Sequence, residues 1–248
     1  MKTSETTSRW RSTFLLLAFS VPVLALLLVL GTWQVQRLFW KLDLIESVEQ
    51  GLQAPPVALP AGTDIDAAAW NYRRVSVRGR FDHSREFHLL AHSERGNFGY
   101  HVITALKRSD APGWVLVSRG WVPAERKEVP TRQDGQVDGE VTITGIARAP
   151  WGKGPFVPDN DLQRNLWYYG DAAGMLAAAG ITDAPALFVD ADASITVPGG
   201  WPRAGHTRVT FPNNHLAYAF TWYSGAVVLL VIYVLWHRRR ARETAPKA

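Results

Sequence analysis

Two long apolar runs lie near the two ends of the chain, and neither contains a charged residue. The first extends over residues 13–33 and the second over 216–236. At 1.5 Å per residue, either run would make a helix about 30 Å long, which matches the hydrocarbon core of a bilayer. The pattern therefore predicts two transmembrane helices, at 13–33 and at 213–236 when the polar residues before the second run are included. The helical period of the first continues to about residue 52.

Between the two runs, residues 53–212 show short alternating segments separated by Gly- and Pro-containing turns, which are typical of strands. The predicted strands are 73–81, 86–92, 100–106, 114–122, 136–148, 186–192 and 206–211. A short helix is predicted at 171–179, with Asp171 as N-cap and Gly180 as its stop. The chain is thus predicted to be a membrane protein, with two transmembrane helices flanking an extracytoplasmic, mainly antiparallel β (α+β, barrel-like) domain.

Positive charge is concentrated at the two ends of the sequence. Eight of the 27 Lys and Arg residues, but only two of the 22 acids, lie within 1–12 and 237–248. The positive-inside rule places both of these ends in the cytoplasm and the domain between the helices outside. A bacterial inner membrane, with the domain in the periplasm, fits this pattern, and a mitochondrial inner membrane is the alternative. The nearly neutral middle argues against a nucleic-acid partner.

Few chemical motifs occur in the central segment. The chain has no cysteine, which excludes c-type haem attachment and iron–sulfur clusters. His88 and His92, with His83 and His101 nearby, are either zinc ligands or half-exposed strand residues. The segment 159–161 resembles the start of a calcium loop but lacks its remainder, so a turn is favoured. No nucleophile elbow or catalytic set is found, and we predict that the chain is not an enzyme.

His215 lies where the second apolar run begins, directly after two asparagines. An imidazole at the rim of a bilayer can bind a metal, but it can also belong to a polar cap above a belt of aromatic anchors. On the first helix, Trp33, Arg37, Trp40 and Lys41 share one face. That face suits lipid headgroups, and it could equally cradle acidic groups such as porphyrin propionates.

Six motifs follow one another along the chain between about residues 20 and 236. They are G31-x-W-Q-x-x-R-x-x-W-K41, R78-G-x-F-D82, G99-Y-H-V102, V115-L-V-x-R-G-W-V-P123, N165-x-W-Y168 and N213-N-H-L-x-Y-A-x-T-W-Y223. In this order, and between two membrane helices, they resemble the Surfeit-locus (Surf/Shy) family of cytochrome c oxidase assembly factors.

The resemblance implies a role in maturing the haem–copper oxidase, during insertion of haem a into its catalytic subunit. The family histidine matches His215, which would ligate the haem iron. The other implied haem a contacts are Trp33, Arg37, Trp40, Tyr218 and Trp222. The implied partners are the catalytic subunit of the oxidase, haem a synthase and the lipid bilayer.

One residue of the last motif departs from the family pattern. Members often carry a polar residue where this chain has Ala217. If that residue orients the histidine, the histidine is either held less firmly here or held by another residue, for which Asn213, Asn214 and Thr221 are the candidates. The alternative function is a haem-independent scaffold that holds an oxidase assembly intermediate, with His215 as a structural cap.

Overall fold

In the computed structural model, the described residues are 3–93, 96–193, 197–205 and 211–243. They belong to two compact units. One unit comprises Met1–Glu46 and Thr210–Ala248, and the other comprises Ser47–Val209. The last predicted strand, 206–211, lies outside the described residues except for Phe211, which is not in a strand.

The first unit is built from two long helices, α1 (Thr3–Gln53) and α4 (His215–Glu243). Leu17–Gln53 and His215–Arg240 are long and apolar enough to cross a membrane. Only 6% and 11% of their apolar windows is buried, unlike the core helix of a soluble protein. The predicted pair of apolar helices at the two ends of a membrane protein is thus confirmed.

Small residues let α1 and α4 pack closely. Ala219 and Ala226 of α4 are each only 3% exposed. A Cβ atom added to Gly31 of α1 would lie 2.8 Å from the ring of Tyr223, so this position has no room for a side chain. The Tyr223 hydroxyl is also 3.1 Å from Oγ1 of Thr32. Close backbone approach and interhelical hydrogen bonds are the usual sources of helix association in lipid.

The second unit is a small β domain. Its strands are β1 (Val57–Ala58), β2 (Arg74–His92), β3 (Phe98–Arg108), β4 (Trp114–Pro123), β5 (Val141–Arg148), β6 (Leu166–Trp167) and β7 (Phe188–Ala191). Its short helices are α2 (Ala67–Trp70) and α3 (Ala172–Ala178), and single 3₁₀ segments occur at Ala124–Arg126, Val129–Gly135 and Pro198–Gly200.

Five strands form a closed ring in the order β2–β3–β4–β7–β5, with β5 pairing back onto β2. The β4/β7 pair is parallel, and the other four pairs of the ring are antiparallel. The predicted barrel-like, mainly antiparallel domain is therefore confirmed. A simple meander is found only for β2–β3–β4, because β7 inserts between β4 and β5.

Two apolar clusters hold this domain together. The first draws on all five ring strands, through residues such as Val77, Val117 and Val189, and therefore fills the barrel interior. The second lies on the outer face, where Leu116 and Phe188 pack with residues of α3. As predicted, the Asp171 carboxylate caps α3 by accepting a hydrogen bond from the Gly174 N–H at 2.8 Å. The helix stops at Gly180, where φ is +65°.

Two strand predictions were wrong for identifiable reasons. The segments 73–81 and 86–92 are one strand, β2, with a register shift between Asp82 and Glu86. Asp82 accepts hydrogen bonds from the N–H and hydroxyl of Ser84, which makes a bulge rather than a turn. The strand predicted to begin at residue 136 begins at Val141, after Gly139 has turned the chain with φ of +90°.

Candidate functional site

His215 is the first residue of α4, and its ring is held by a glutamine of α1. Its Nδ1 lies 2.7 Å from Oε1 of Gln34. Gln34 is buried at 9% exposure, whereas His215 is partly exposed. The two residues are 181 positions apart in sequence, so the pairing of the two helices creates this contact.

This hydrogen bond determines the chemistry of the imidazole. An amide oxygen can only accept a hydrogen bond, so the contact is a hydrogen bond in the tautomer that carries its proton on Nδ1. In that tautomer the lone pair lies on Nε2, the nitrogen that could bind a metal ion. A ligating histidine almost always donates its other N–H to such an acceptor, which fixes the ring and raises its basicity. The contact with Gln34 therefore leaves Nε2 as the ring nitrogen of His215 that could hold a ligand.

The position of Gln34 follows from the pattern of α1. Gly31, Gln34, Val35, Leu38 and Lys41 recur at helical spacing and are the buried or partly buried positions of residues 31–41. The Lys41 ammonium donates a hydrogen bond of 2.6 Å to the carbonyl oxygen of Pro212. Sequence reasoning missed Gln34 as a site residue. An amide on the small-residue face of a membrane helix is the signal that could have identified it.

Two of the residues expected to compensate for the missing polar side chain at Ala217, Asn213 and Thr221, make hydrogen bonds to the backbone of α4 instead. The Asn213 side chain accepts a hydrogen bond from the backbone N–H of His215 at 3.4 Å, as a cap. The Thr221 hydroxyl donates to the Ala217 carbonyl oxygen at 3.0 Å within α4. The side-chain hydrogen bond to the His215 ring comes instead from Gln34 of α1.

The other predicted haem contacts lie on more open faces. Trp33, Trp40 and Tyr218 are 52%, 49% and 56% exposed. The guanidinium carbon of Arg37 lies 3.6 Å from the ring centre of Trp40, a cation–π contact. The described hydrogen bonds of His215 lead to Gln34 and Asn213 rather than to these residues. Their exposure suits a lipid-facing surface.

Trp222 offers one further polar group on this side of α4. It follows His215 by seven residues, so both project from the same face, together with Ala219. The indole N–H of Trp222 is buried and has no acceptor among the described residues. A buried donor without a partner is costly, and a bound group with an acceptor oxygen would satisfy it.

A second polar cluster lies in the β domain, around Glu86. Arg132 binds both oxygens of this carboxylate, through Nη2 to Oε1 and through Nη1 to Oε2 at 3.0 Å. His88 Nε2 lies 3.0 Å from Oε1, and Arg119 Nη1 lies 3.8 Å from Oε2. These four residues are all less than 9% exposed, so the cluster is shielded from water.

Charge pairing in this cluster shifts the pKa values of two of its members. Burial alone would raise the pKa of Glu86, but hydrogen bonds from His88 and Arg132 and the charge of Arg132 outweigh it and lower the pKa to about 2. Burial lowers the pKa of Arg119 to about 10, although the charge of Glu86 opposes that shift. Glu86 is therefore a fixed anion, and Arg119 is a cation that is only partly compensated.

The histidines considered for zinc do not converge. His88 is buried beside Glu86, which contradicts the half-exposed interpretation for this residue, whereas His92 is exposed and contacts the ring of Phe98. His83 and His101 lie elsewhere on β2 and β3. The described part of the chain contains no group of three His, Asp or Glu residues that could hold a metal. The turn expected at 159–161 follows that segment instead: residues 162–165 form it, between the paired Asp161 and Leu166, and the Asp161 carboxylate accepts a hydrogen bond from the Arg164 N–H at 3.0 Å.

Together, the fold and the site define a class: a two-helix membrane protein with a closed five-stranded barrel and an oriented histidine where its second helix begins. The chain belongs to the SURF1 family, whose model matches residues 21–227. This is a family of oxidase assembly factors, in agreement with the resemblance of the six motifs.

Individual relatives agree with this assignment. The chain is 42% identical to Surfeit locus protein 1 of Mus musculus over 229 residues, which cover 87% of this chain and 72% of the mouse protein. It is 40% identical to the Homo sapiens protein of the same name over 230 residues, 87% of this chain and 74% of that protein. A SURF1-like protein of Monosiga brevicollis is 35% identical over 239 residues, 92% and 89% of the two chains.

Proposed function

We propose that this protein binds haem a through His215 and assists its insertion into the catalytic subunit of cytochrome c oxidase. The observation that carries the proposal is the 2.7 Å hydrogen bond between His215 Nδ1 and Gln34 Oε1. With Nδ1 engaged by Gln34, Nε2 is the ring nitrogen that would serve as an axial ligand of haem iron. Haem a is the cargo here, and one ligand suits a carrier that has to release it.

The surroundings of His215 fit such a cargo. The described flanks of the site are apolar and open to lipid, which suits a macrocycle with little polar surface. Arg37 provides a cation for propionate groups, and the unpaired indole N–H of Trp222 provides a donor. Haem a synthase is a reasonable source of the cargo in the same bilayer. The cluster of arginines in the last turns of α4 supports an inner membrane with both ends of the chain in the cytoplasm.

A second candidate is a scaffold that holds an oxidase assembly intermediate without binding haem. It is favoured by the same bond, because a partly buried Gln–His pair also ties α1 to α4, and Lys41 ties α1 to the segment before α4 through the Pro212 carbonyl oxygen. The two candidates differ in one respect. A structural pair needs the hydrogen bond itself, whereas a carrier needs the free Nε2 of His215.

The deciding experiment is an absorption spectrum of the full chain, purified from membranes of cells that make haem a. We expect a Soret band in the wild type and its loss in His215→Ala. Gln34→Ala should weaken haem binding about 10- to 100-fold, the usual effect of removing a partner of a ligating histidine. Gln34→Glu keeps an acceptor for Nδ1 and should retain the haem.

His237→Ala and Gln36→Ala are matched controls, since His237 bonds to Tyr233 within α4 and Gln36 is an exposed neighbour of Gln34. Both variants should keep the Soret band. A band that survives in His215→Ala would show that the iron is bound elsewhere. A colourless wild type, with haem a present in the same membranes and oxidase assembly unaffected by His215→Ala, would favour the scaffold.

A further inference from the structure

The barrel contains an unfilled space of about 220 Å³, at the place where β2 and β4 carry Phe81 and Arg119. Its walls are mainly aliphatic and include Val117, Ile143 and Ala191. Among the wall residues that the structure describes, Arg119 is the only charged one. An apolar cavity with one converging polar group is the usual form of a small-molecule site.

The charge of this site is unbalanced. Arg119 and Arg132 bring two guanidinium groups to a single buried carboxylate, Glu86. Arg132 occupies both carboxylate oxygens, whereas Arg119 approaches Glu86 only to 3.8 Å. The three side chains therefore leave one positive charge in excess, and it resides on Arg119. A buried charge without a full partner is costly, so the site favours an additional anion.

Arg119 also has hydrogen-bonding capacity left. Its Nη1 donates to Gln136 Oε1 at 3.2 Å and to Nδ1 of His83 at 3.5 Å, and its Nη2 donates to the Gly135 carbonyl oxygen. A guanidinium has five N–H donors. The Nε–H and one Nη2–H have no acceptor within the described ranges. His83 does not compete for an anion, because its Nε2 donates to the Val137 carbonyl oxygen at 3.0 Å and its Nδ1 accepts from Arg119.

We propose that this cavity binds a small amphipathic carboxylate, with its anionic head on Arg119 and its apolar chain among Val117, Ile143 and Ala191. A water molecule takes up about 30 Å³, so the space suits about seven or eight non-hydrogen atoms, the size of a six-carbon acid. Its carboxylate accepts the remaining N–H groups of Arg119 and neutralises the excess charge. The site is distinct from His215, and its occupancy does not depend on haem.

Hexanoate is the test ligand, titrated calorimetrically into the full chain in lipid nanodiscs, with empty nanodiscs as the blank. We expect hexanoate to bind at least about tenfold more tightly than hexanamide, since a hydrogen bond to a charged partner is stronger than a neutral one. Hexylamine, with the same chain and a positive head, should not bind. No binding of hexanoate up to its solubility limit would overturn the proposal, as would equal affinities for hexanoate and hexanamide.

Two variants that fill the cavity locate the site. Ala191→Leu places a larger side chain in the space, and Val141→Phe fills it from its partly exposed edge. Both should weaken hexanoate binding about tenfold or more, whereas Ala177→Leu, on the exposed face of α3, should not. If Ala191→Leu fails to fold by circular dichroism, Val141→Phe decides. Unchanged affinity in a folded filling variant would overturn the assignment.

Discussion

Glu86 holds two buried guanidinium groups in the barrel, and replacing it with glutamine tests that arrangement. Glu86→Gln keeps the size of the side chain but removes its charge. Arg132 and Arg119 would then be buried without a counter-ion, at 4% exposure each. We expect a large loss of stability for the β domain, because removing one partner of a buried ion pair leaves the other uncompensated.

The pKa of Glu86 gives the size of this effect. Its lowering from 4.5 to about 2 corresponds to about 3 kcal/mol of stabilisation, at 1.36 kcal/mol per pKa unit. Because the folded pKa is the lower one, this stability is complete above pH 4.5 and is lost as the pH falls toward 2. The side chain is only 5% exposed, so solvent screens little of the interaction.

The assay is urea unfolding of the full chain in detergent, followed by tryptophan fluorescence at several pH values. Glu86→Gln should lower the free energy of unfolding at neutral pH by about 3–5 kcal/mol and flatten its pH dependence below pH 4.5. Glu128→Gln is the control. Its side chain is 72% exposed and 3.9 Å from Lys127, so we expect a change of less than about 1 kcal/mol.

Two results would refute this reasoning. One is a Glu86→Gln protein as stable as the control at neutral pH, which would mean that the two guanidinium groups find other compensation. The other is an unchanged acid branch, in which wild type and variant lose stability in parallel between pH 4.5 and 2. In that case another carboxylate would be responsible for the loss of folding stability at acid pH.

Two further predictions concern helix packing and the segment before the barrel. Gly31→Leu should push α1 from α4, since even a Cβ would lie 2.8 Å from the Tyr223 ring, and haem titration should show a loss as large as in Gln34→Ala. Gly225→Ala is the control, because its Cβ would lie at an ordinary contact distance of 3.6 Å from Leu27, and it should bind haem like the wild type. Equal haem affinities of Gly31→Leu and Gly225→Ala would contradict the packing argument. Arg108→Met removes hydrogen bonds to the carbonyl oxygens of Leu59 at 2.6 Å and Pro60 at 2.7 Å, so amide exchange at 57–59 should rise and stability should fall by about 3 kcal/mol. Arg78→Met, at an ion pair with a 56% exposed arginine, should change neither, and similar exchange in both variants would refute the anchoring role of Arg108.

Local patterns were enough to predict the elements but not their pairing. The uncharged runs were enough to predict the two long helices, and Asp171 and Gly180 were enough to predict where α3 begins and ends. The alternation of apolar and polar residues predicted most strands, because successive side chains of a strand point to a buried and an exposed face in turn. It could not show that β7 inserts parallel to β4, because nothing in the seven residues 186–192 encodes a partner strand.

The candidate site shows the same limit. His215 stood out because a polar ring at the start of an apolar run is unusual. Its partner Gln34 did not, because the contact joins residues 181 positions apart and exists only when the two helices pack. Arg132 was missed for a related reason. It lies in a polar stretch that is typical of an exposed turn, and its burial depends on Glu86 of a distant strand.

The insertion of β7 into the ring has a consequence for the order of folding. Val117 pairs with Val189, and Val75 pairs with Gly145, so each closing contact spans about 70 residues of chain. Loops of that length are slow to close, and barrels dominated by such contacts fold slowly. During synthesis, β4 and β5 retain open edges until β7 has emerged, close to the time at which α4 follows. The nascent chain therefore passes through a stage in which the open edges of an incomplete sheet are exposed and prone to association. A chaperone that covers these edges would act before the second membrane helix is synthesised.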